Sequence, residues 1–175
     1  MDAYLAVVGK REARRYTPQP VPRETLLQII EAGRASGSSR NRQPWRFVLV
    51  ADRARLQALA PLVSRPGNVA ECAAAIVVAL LNPRMQFDAG RAAQNMMLAA
   101  WSLGVGSCPN TALQEAEVKT LLRLSPEAAV PTIISLGYPA AGEPRPRRGA
   151  DAAGVLARIN RLPLAELLHE EHFRA

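Results

Sequence analysis

Cysteine, histidine and aromatic residues are scarce in this chain of 175 residues. It has two cysteines, two histidines and 5% aromatic residues. Cys72 and Cys108 have the spacing of neither a metal site nor a disulfide framework, so we expect a reduced, cytoplasmic protein. No window of about eighteen uncharged apolar residues predicts a membrane span. The N-terminus also lacks the pattern of a secretory signal.

Lysine is scarce as well, because the basic residues are two lysines and twenty arginines, and the net charge is +7. A positive charge can attract polyanions such as nucleic acids. Here the charge is spread along the chain, and basic and aromatic residues do not interleave as they do in proteins that bind single strands. We expect no nucleic-acid partner. A nucleic-acid-binding module is the rival interpretation, and it predicts binding that weakens with salt.

The sequence also shows no recognisable combination of side chains for hydrolysis or for metal binding. No Ser/His/Asp group can be nominated, and neither cysteine has a histidine nearby in the sequence. His169 and His172 stand three apart, whereas the metalloprotease pattern needs two histidines four apart with further ligands. We interpret them as exposed residues of a terminal helix. The sequence therefore predicts no metal site.

Apolar runs and their periods predict the order of helices and strands. A hydrophobic fraction of 49% and a charged fraction of 21% are typical of globular proteins, and residues 1–175 are expected to form a single domain. The predicted strands are residues 47–51, 75–81 and 131–139. The predicted helices are residues 2–10, one that starts after Pro22 and ends near Gly33, one between Asp52 and Pro61, residues 87–104, one that holds Val118, Leu121 and Leu122, and a short one near the C-terminus. Because helices and strands do not alternate strictly, the pattern favours an α+β layer fold.

The remaining segments are predicted to be loops. Residues 64–68 form a polar loop, residues 105–111 form a turn, and residues 142–150 form an exposed tether. Asp52 is predicted to cap its helix. Gly104 stands where a left-handed helix terminus is expected after the long helix 87–104. That helix is rich in small residues, which allow close packing.

Three segments could bind a ligand, and each has a plain structural alternative. The basic segment KREARRY, residues 10–16, could hold a phosphate or be a solvated basic face. The loop SGSSRNRQPWR, residues 36–46, could bind a polar ligand through Ser38, Ser39 and Asn41, or provide ordinary turn chemistry while Trp45 fills the core. VGSCPNTA, residues 105–112, lacks the third glycine of a dinucleotide fingerprint but permits close approach of a flat ligand.

Taken in order, these segments resemble the nitroreductase family of flavin enzymes. The basic segment is similar to the family's R-R-S-x-R-x-F/Y, and residues 38–45, SSRNRQPW, are similar to S-S-x-N-x-Q-P-W. The long helix resembles D-x-G-x-A-x-Q-N-x-x-L-A-A-x-x-L-G-x-G, from Asp88 to Gly106. Gly137-Tyr138-Pro139 and the run RLPL at residues 161–164 also fit. The resemblance covers nearly the whole chain.

The resemblance implies a homodimer with a central mixed or antiparallel sheet flanked by helices, and one FMN in each of two interface sites. It implies no catalytic side chain, because the flavin N5 carries the hydride. NAD(P)H would be the transient donor, and a nitroaromatic, quinone or enone the acceptor, in a ping-pong reaction. The implied cofactor-binding residues are Lys10, Arg11, Arg14, Arg158 and Arg161 at the phosphate and ribityl chain, Ser38, Ser39 and Asn41 from the partner subunit, Asn68 at the pyrimidine edge, and Pro109, Asn110 and Thr111 near N5.

Glu12 departs from the family pattern, which has serine at this position. A carboxylate beside a phosphate dianion is repulsive. Either Glu12 turns away to pair with an arginine, or FMN binding is weakened or altered. The alternatives are therefore a flavin-binding protein without catalysis, or a specialised enzyme of the same fold that fragments flavin, dehalogenates or dehydrogenates.

Overall fold

The structure, a computed structural model, describes residues 2–146 and 151–173. It comprises two compact units. The larger runs from Lys10 to Pro146, and the smaller combines the residues before Lys10 with those after Pro146. The expectation of a single domain over residues 1–175 stays a prediction.

The helices and strands of the larger unit make up a sheet and its two covering layers. Its helices are α2 (Arg23–Arg34), α3 (Arg53–Leu59), α4 (Pro66–Glu71), α5 (Gln86–Ser102) and α6 (Glu115–Leu122), and its strands are β1 (Trp45–Val50), β2 (Ala74–Leu80), β3 (Gly106–Asn110) and β4 (Ala129–Gly137). The smaller unit contains α1 (Ala3–Gly9), α7 (Ala152–Leu156) and α8 (Leu164–Leu167). Among the described residues, no helix combines the length and apolar character needed to cross a bilayer.

The sheet has the order β1-β2-β4-β3, and every neighbouring pair is antiparallel. All seven residues of β2 are buried, which a central strand covered on both faces requires. One core lies between the sheet and the helices α2 and α5. A second core, on the opposite face, takes residues from α3, α4 and α6. The predicted α+β class is therefore confirmed, with a wholly antiparallel sheet.

Helices α2 and α5 pack closely because Gly33 has no side chain. A Cβ built at Gly33 would lie 2.8 Å from Cγ of Met96, which is completely buried. Helix α5 ends at Ser102, and Gly104 follows with φ +84°, as predicted for a left-handed terminus. Asp52 caps α3 as expected, since its Oδ1 accepts a 2.9 Å hydrogen bond from the backbone N–H of Arg55.

Two of the predicted loops are wrong. The turn predicted at residues 105–111 is largely the edge strand β3, which pairs with β4. Its short, mixed sequence has no strand periodicity, and an edge position tolerates Pro109, which has no N–H to donate. The polar loop predicted at residues 64–68 overlaps α4, where Pro66 occupies the first turn.

The predicted exposed tether, residues 142–150, is wrong in its first part. The carboxylate of Glu143 is only 12% exposed and binds the basic segment. Residues 147–150 lie outside the described residues. Helix α7 was not predicted, and Asp151 caps it by accepting hydrogen bonds from the backbone N–H groups of Ala153 and Gly154.

Candidate functional site

The basic segment is partly neutralised within itself. The Nζ atom of Lys10 lies 2.6 Å from Oε2 of Glu12, and the lysine side chain is only 5% exposed. The same Nζ lies 3.6 Å from Sδ of Met97 in α5. Glu12 therefore pairs with a lysine, so the arginine partner expected in one of the two alternatives is wrong. This pairing offsets the repulsion that Glu12 would otherwise exert on a nearby anion.

Glu143 fixes the far end of the basic segment. Its Oε2 accepts a 2.7 Å hydrogen bond from the backbone N–H of Arg14, and its Oε1 accepts a 2.9 Å bond from Nε of Arg15. These bonds, the backbone one first, hold the pKa of Glu143 below its ordinary value. The Arg14 side chain is left exposed, while Arg11 Nη1 donates to the carbonyl of Lys10 at 2.8 Å.

Strand β3 lies beside the basic segment and carries a buried hydroxyl that the sequence did not reveal. The backbone N–H of Ala13 donates to the carbonyl of Ser107 at 3.2 Å. Ser107 is 1% exposed, and within residues 2–146 and 151–173 its Oγ has no hydrogen-bond partner. Ser107 stands opposite Leu136, a residue of the α2/α5 core, so its side chain faces α5. The sequence contains no signal for this serine, because residues 105–111 were predicted to form a turn.

The side chain of Asn110 is committed to the protein interior. It is 2% exposed, and its Nδ2 donates to the carbonyls of Cys108 at 3.0 Å and Ile133 at 3.2 Å. Thr111 is exposed, but its backbone N–H donates to Ser64 Oγ at 3.1 Å. Pro109 is exposed on the same strand. A ligand at this edge would thus meet backbone and Pro109 more readily than the Asn110 amide.

Asn68 lies on α4 and is buried, with 5% exposure. Its Nδ2 donates to Oδ1 of Asn110 at 3.3 Å and to the sulfur of Cys108 at 3.2 Å. This contact joins α4 to β3 beneath the exposed edge of the sheet. The role of Asn68 at a ligand stays a prediction, since its amide nitrogen already has partners.

Three buried titratable groups near β3, the thiols of Cys72 and Cys108 and the hydroxyl of Tyr16, are held in their neutral forms. Burial raises the pKa of Cys72 to about 11 and also raises that of Cys108. Burial likewise raises the pKa of Tyr16, whose hydroxyl oxygen lies 2.9 Å from Oγ of Ser135. A protonated thiol is a poor nucleophile. These groups therefore provide structure and no evident acid, base or nucleophile.

The loop between α2 and β1 has an unusual backbone. Residues Ser39–Asn41 form one turn of 3-10 helix, and Arg40, Asn41 and Gln43 have φ values of +52°, +53° and +46°. Such left-handed conformations are rare away from glycine and concentrate at functional sites. Ser38 Oγ accepts a 2.9 Å bond from the backbone N–H of Gln43. Trp45 fills the core, as one of the two interpretations of this loop expected, since it begins β1 and is 4% exposed in the α2/α5 core.

The candidate residues fall into four groups in the structure. Lys10, Arg11 and Arg14 lie together beside β3, and the strained loop between α2 and β1, which carries Ser38, Ser39 and Asn41, lies on α5. A further group, on α4 and at β3, comprises Asn68, Pro109, Asn110 and Thr111. Arg158 and Arg161 belong to the smaller unit, where both are exposed and donate to the carbonyls of Gly154 and Asn160 at 2.8 Å. Helix α5 connects the first two groups, since Met97 contacts Lys10 and Asp88 binds the loop.

A model of the Nitroreductase family matches residues 7–80 and 68–138, which is most of the chain. The chain belongs to the nitroreductase family. Its similarity to the NADH dehydrogenase of Thermus thermophilus is 28% identity, over 80% of this chain and 88% of that protein. It is 31% identical to the NADPH-flavin oxidoreductase of Vibrio harveyi, over 76% of this chain and 64% of that protein.

The fold agrees with this family membership. A Desulfovibrio desulfuricans protein, solved in complex with FMN, superposes with a TM-score of 0.77 at 32% identity, covering 99% of both chains. The named relatives of this nitroreductase-family chain are oxidoreductases that use nicotinamide nucleotides. Membership in the family therefore indicates an oxidoreductase. Whether FMN fits this chain depends on the residues described above.

Proposed function

We propose that this protein is an FMN-dependent oxidoreductase that uses NAD(P)H to reduce electron-poor acceptors such as nitroaromatics, quinones or enones, by ping-pong hydride transfer. The observation that carries the proposal is the buried Ser107 hydroxyl beside the basic segment 10–14. It lacks a partner within residues 2–146 and 151–173, and a buried polar group without a partner is costly. A polar ligand satisfies it only if the ligand reaches Oγ between β3 and α5, and the neighbouring cations suit a phosphate.

The proposal gives the basic groups the task of holding the phosphate and ribityl chain. Arg14 is exposed and Arg11 is half-buried, whereas Lys10 is enclosed with Glu12 and Arg15 is paired with Glu143. For Arg158 and Arg161, a role at the phosphate is proposed from the family resemblance alone. Arginine suits this task because its planar guanidinium donates two parallel hydrogen bonds to a phosphate.

The remaining proposed contacts orient the isoalloxazine ring. Pro109, Asn110 and Thr111 would lie near N5, with Asn110 acting through its backbone because its side chain is occupied. Asn68 is proposed at the pyrimidine edge. Ser38, Ser39 and Asn41 would reach the flavin of a partner subunit, so we propose a homodimer with flavin sites at the interface. We also propose that the protein is cytoplasmic.

The bound FMN would supply hydride acceptance and donation at its N5, which no amino-acid side chain can provide. The chain itself binds, orients and excludes water. Protonated thiols and a protonated Tyr16 hydroxyl are compatible with this division, because hydride transfer needs no thiolate or phenolate. The acceptor would stack in the place that the nicotinamide leaves.

The test is the visible spectrum of the purified protein, as isolated and after addition of FMN. We expect a flavin spectrum that NADH or NADPH bleaches without oxygen, and that a quinone or nitroaromatic restores. Size-exclusion chromatography with light scattering should give the mass of two chains. A colourless protein that ignores added FMN would refute the cofactor, and a monomer with bound FMN would refute the shared site.

A second candidate is a flavin-binding protein without catalysis, and the Lys10–Glu12 pair favours it. A carboxylate within the phosphate-binding segment reduces the positive charge available to FMN. This alternative predicts a flavin spectrum that neither nicotinamide nucleotide bleaches. Rapid bleaching followed by reoxidation with an acceptor would exclude it.

A further inference from the structure

Helix α5 contacts three residues of the strained loop, Ser36, Gly37 and Ser39, through three side chains. Asn95 Nδ2 donates to Oγ of Ser36 at 2.7 Å. The guanidinium of Arg91 lies against Gly37, where an added Cβ would clash with Nη2. Asp88 Oδ2 accepts a 3.2 Å bond from the backbone N–H of Ser39. Asp88, Arg91 and Asn95 are called the α5 clasp below.

The spacing of the clasp matches the path of the loop. Positions 88, 91 and 95 follow the i, i+3, i+7 pattern, which places them on one stripe of a helix. At about 1.5 Å per residue, seven residues of helix span about 10 Å. Three residues of extended chain, from Ser36 to Ser39, also span about 10 Å. The loop therefore runs antiparallel to α5 with its contacts in register.

Asp88 is the central charge of the clasp. It is 5% exposed, and its Oδ1 lies 4.0 Å from Nη1 of Arg91. A buried carboxylate needs such partners, because burying an unpaired charge is costly. Arg91 in turn lies over the ring of Phe87, 5.8 Å from its centroid. Asp88 and Arg91 thus support each other while each holds a different residue of the loop.

The loop beyond the clasp has a backbone that would not form on its own. Arg40, Asn41 and Gln43 all have positive φ, and such conformations persist only where the surroundings over-determine them. On the N-terminal side the clasp supplies these surroundings, and on the C-terminal side Trp45 does so from the core. Between these two anchors the chain has little freedom.

We propose that Asp88, Arg91 and Asn95 are positioning residues, which hold residues 36–39 on α5 and so fix the conformation in which Ser38, Ser39 and Asn41 bind a flavin. The inference rests on the proposed function for the identity of the ligand. The clasp itself is a property of the loop and can be tested without any ligand.

The experiment compares the wild type with Asn95→Ala, Gly37→Ala and Asp88→Ala. Asn95 is exposed, so its substitution spares the core, and a Cβ at Gly37 displaces only the flexible end of Arg91. Asp52→Ala is the matched control, because Asp52 also accepts a backbone N–H at the start of a helix but binds no loop residue. Melting temperatures are recorded for all variants, and the assays are run well below them.

Two measurements separate positioning from general stability. The first is tryptic cleavage after Arg40 and Arg42, followed by mass spectrometry without flavin. The second is the FMN dissociation constant from quenching of flavin fluorescence. We expect each clasp variant to be cleaved at least several-fold faster and to bind FMN up to about tenfold more weakly, because the loop would occupy its binding conformation for a smaller fraction of the time. Asp52→Ala should match the wild type in both.

The outcomes distinguish the inference from the proposed function. Wild-type protein that binds no FMN refutes the proposed function, and the cleavage rates still decide whether the clasp orders the loop. FMN binding that is unchanged in Asn95→Ala and Gly37→Ala, with unchanged cleavage, overturns the inference. Faster cleavage with unchanged FMN affinity also overturns it, because the loop would then be irrelevant to the flavin.

Discussion

The ammonium group of Lys10 and the carboxylate of Glu12 form an ion pair of 2.6 Å in which the lysine side chain is 5% exposed and the glutamate side chain 33%. Each residue thus determines what the other can do. The lysine has lost most of its contact with water, and the carboxylate neutralises one cation of the segment proposed to hold the phosphate. Under the proposed function, FMN affinity and the stability of the free protein would therefore be coupled through this pair.

Glu12→Ser should weaken the free protein and strengthen FMN binding. Lys10 would be buried without its partner, so we expect a loss of about 1–3 kcal/mol in the free energy of unfolding. With the neutralising carboxylate gone, the FMN dissociation constant should fall about tenfold, about 1.4 kcal/mol. Thermal melts with and without FMN would show a larger ligand-induced rise than in the wild type.

Glu31→Ser is the control for this substitution. Glu31 pairs with Arg34 at 2.7 Å, but both side chains are more than half exposed, so the pair contributes little. Neither stability nor FMN affinity should change. If FMN affinity falls in the Glu12→Ser variant, Glu12 contributes to FMN binding and the prediction is wrong.

Ser107→Ala should affect the free and the flavin-bound protein in opposite directions. Removing a buried hydroxyl that has no partner among the described residues should leave the free protein unchanged or more stable by up to about 1 kcal/mol. If FMN satisfies this hydroxyl, its dissociation constant should rise by about three- to tenfold. Urea unfolding and flavin fluorescence measure the two effects.

Ser135→Ala provides the contrast within the same sheet. Its hydroxyl contacts Tyr16 at 2.9 Å and donates to the carbonyl of Cys108 at 3.2 Å. Its loss should cost about 1–3 kcal/mol of stability. Equal stability losses in the two variants would contradict the assignment of Ser107 as unsatisfied.

Glu143→Gln should change how stability depends on acid. The folded protein holds the pKa of Glu143 below the ordinary 4.5. A lowered carboxyl pKa contributes stability that is present above the unfolded value and lost as pH falls through the folded one. The wild type should therefore lose stability below about pH 4.5, and the variant should be weaker at pH 7 but lose less on acidification. Urea midpoints at pH 7 and at low pH, with Glu31→Gln as the control, would decide this.

Gly33→Ala should destabilise the packing of α2 on α5. The added Cβ would lie 2.8 Å from Cγ of buried Met96, and overpacking of this kind costs about 1–3 kcal/mol. This exceeds the gain of up to about 1 kcal/mol from replacing glycine in a helix. Gly67→Ala on α4 meets nothing within 4 Å and should be neutral or stabilising. A stabilised Gly33→Ala protein would show that Met96 moves at little cost.

Local sequence patterns were sufficient to predict the helices and strands that have a clear spacing of apolar residues or a capping residue. Helix α5, with its left-handed terminus at Gly104, and α3, with its cap at Asp52, follow from apolar spacing and turn chemistry within one segment. The central strand β2 follows from an unbroken apolar run. Strand β3 did not follow, because its pairing with β4 supplies what its own sequence lacks.

The candidate site divides in the same way. The basic segment and the loop at Ser38 were recognisable from residue types and order, and with them membership in the family. The partner of Glu12 and the unsatisfied hydroxyl of Ser107 were not recognisable, since both depend on which elements lie beside them.

By itself the sequence determined the α+β class, the family and the segments that we propose as ligand-binding, because these depend on hydrophobic periods and on residues close together in the chain. Only the tertiary structure decided that Lys10 is enclosed by Glu12, that Ser107 faces α5, and that Asp88, Arg91 and Asn95 hold residues 36–39. Those contacts join residues brought together by the antiparallel sheet and the packing of α5, and no local pattern encodes them.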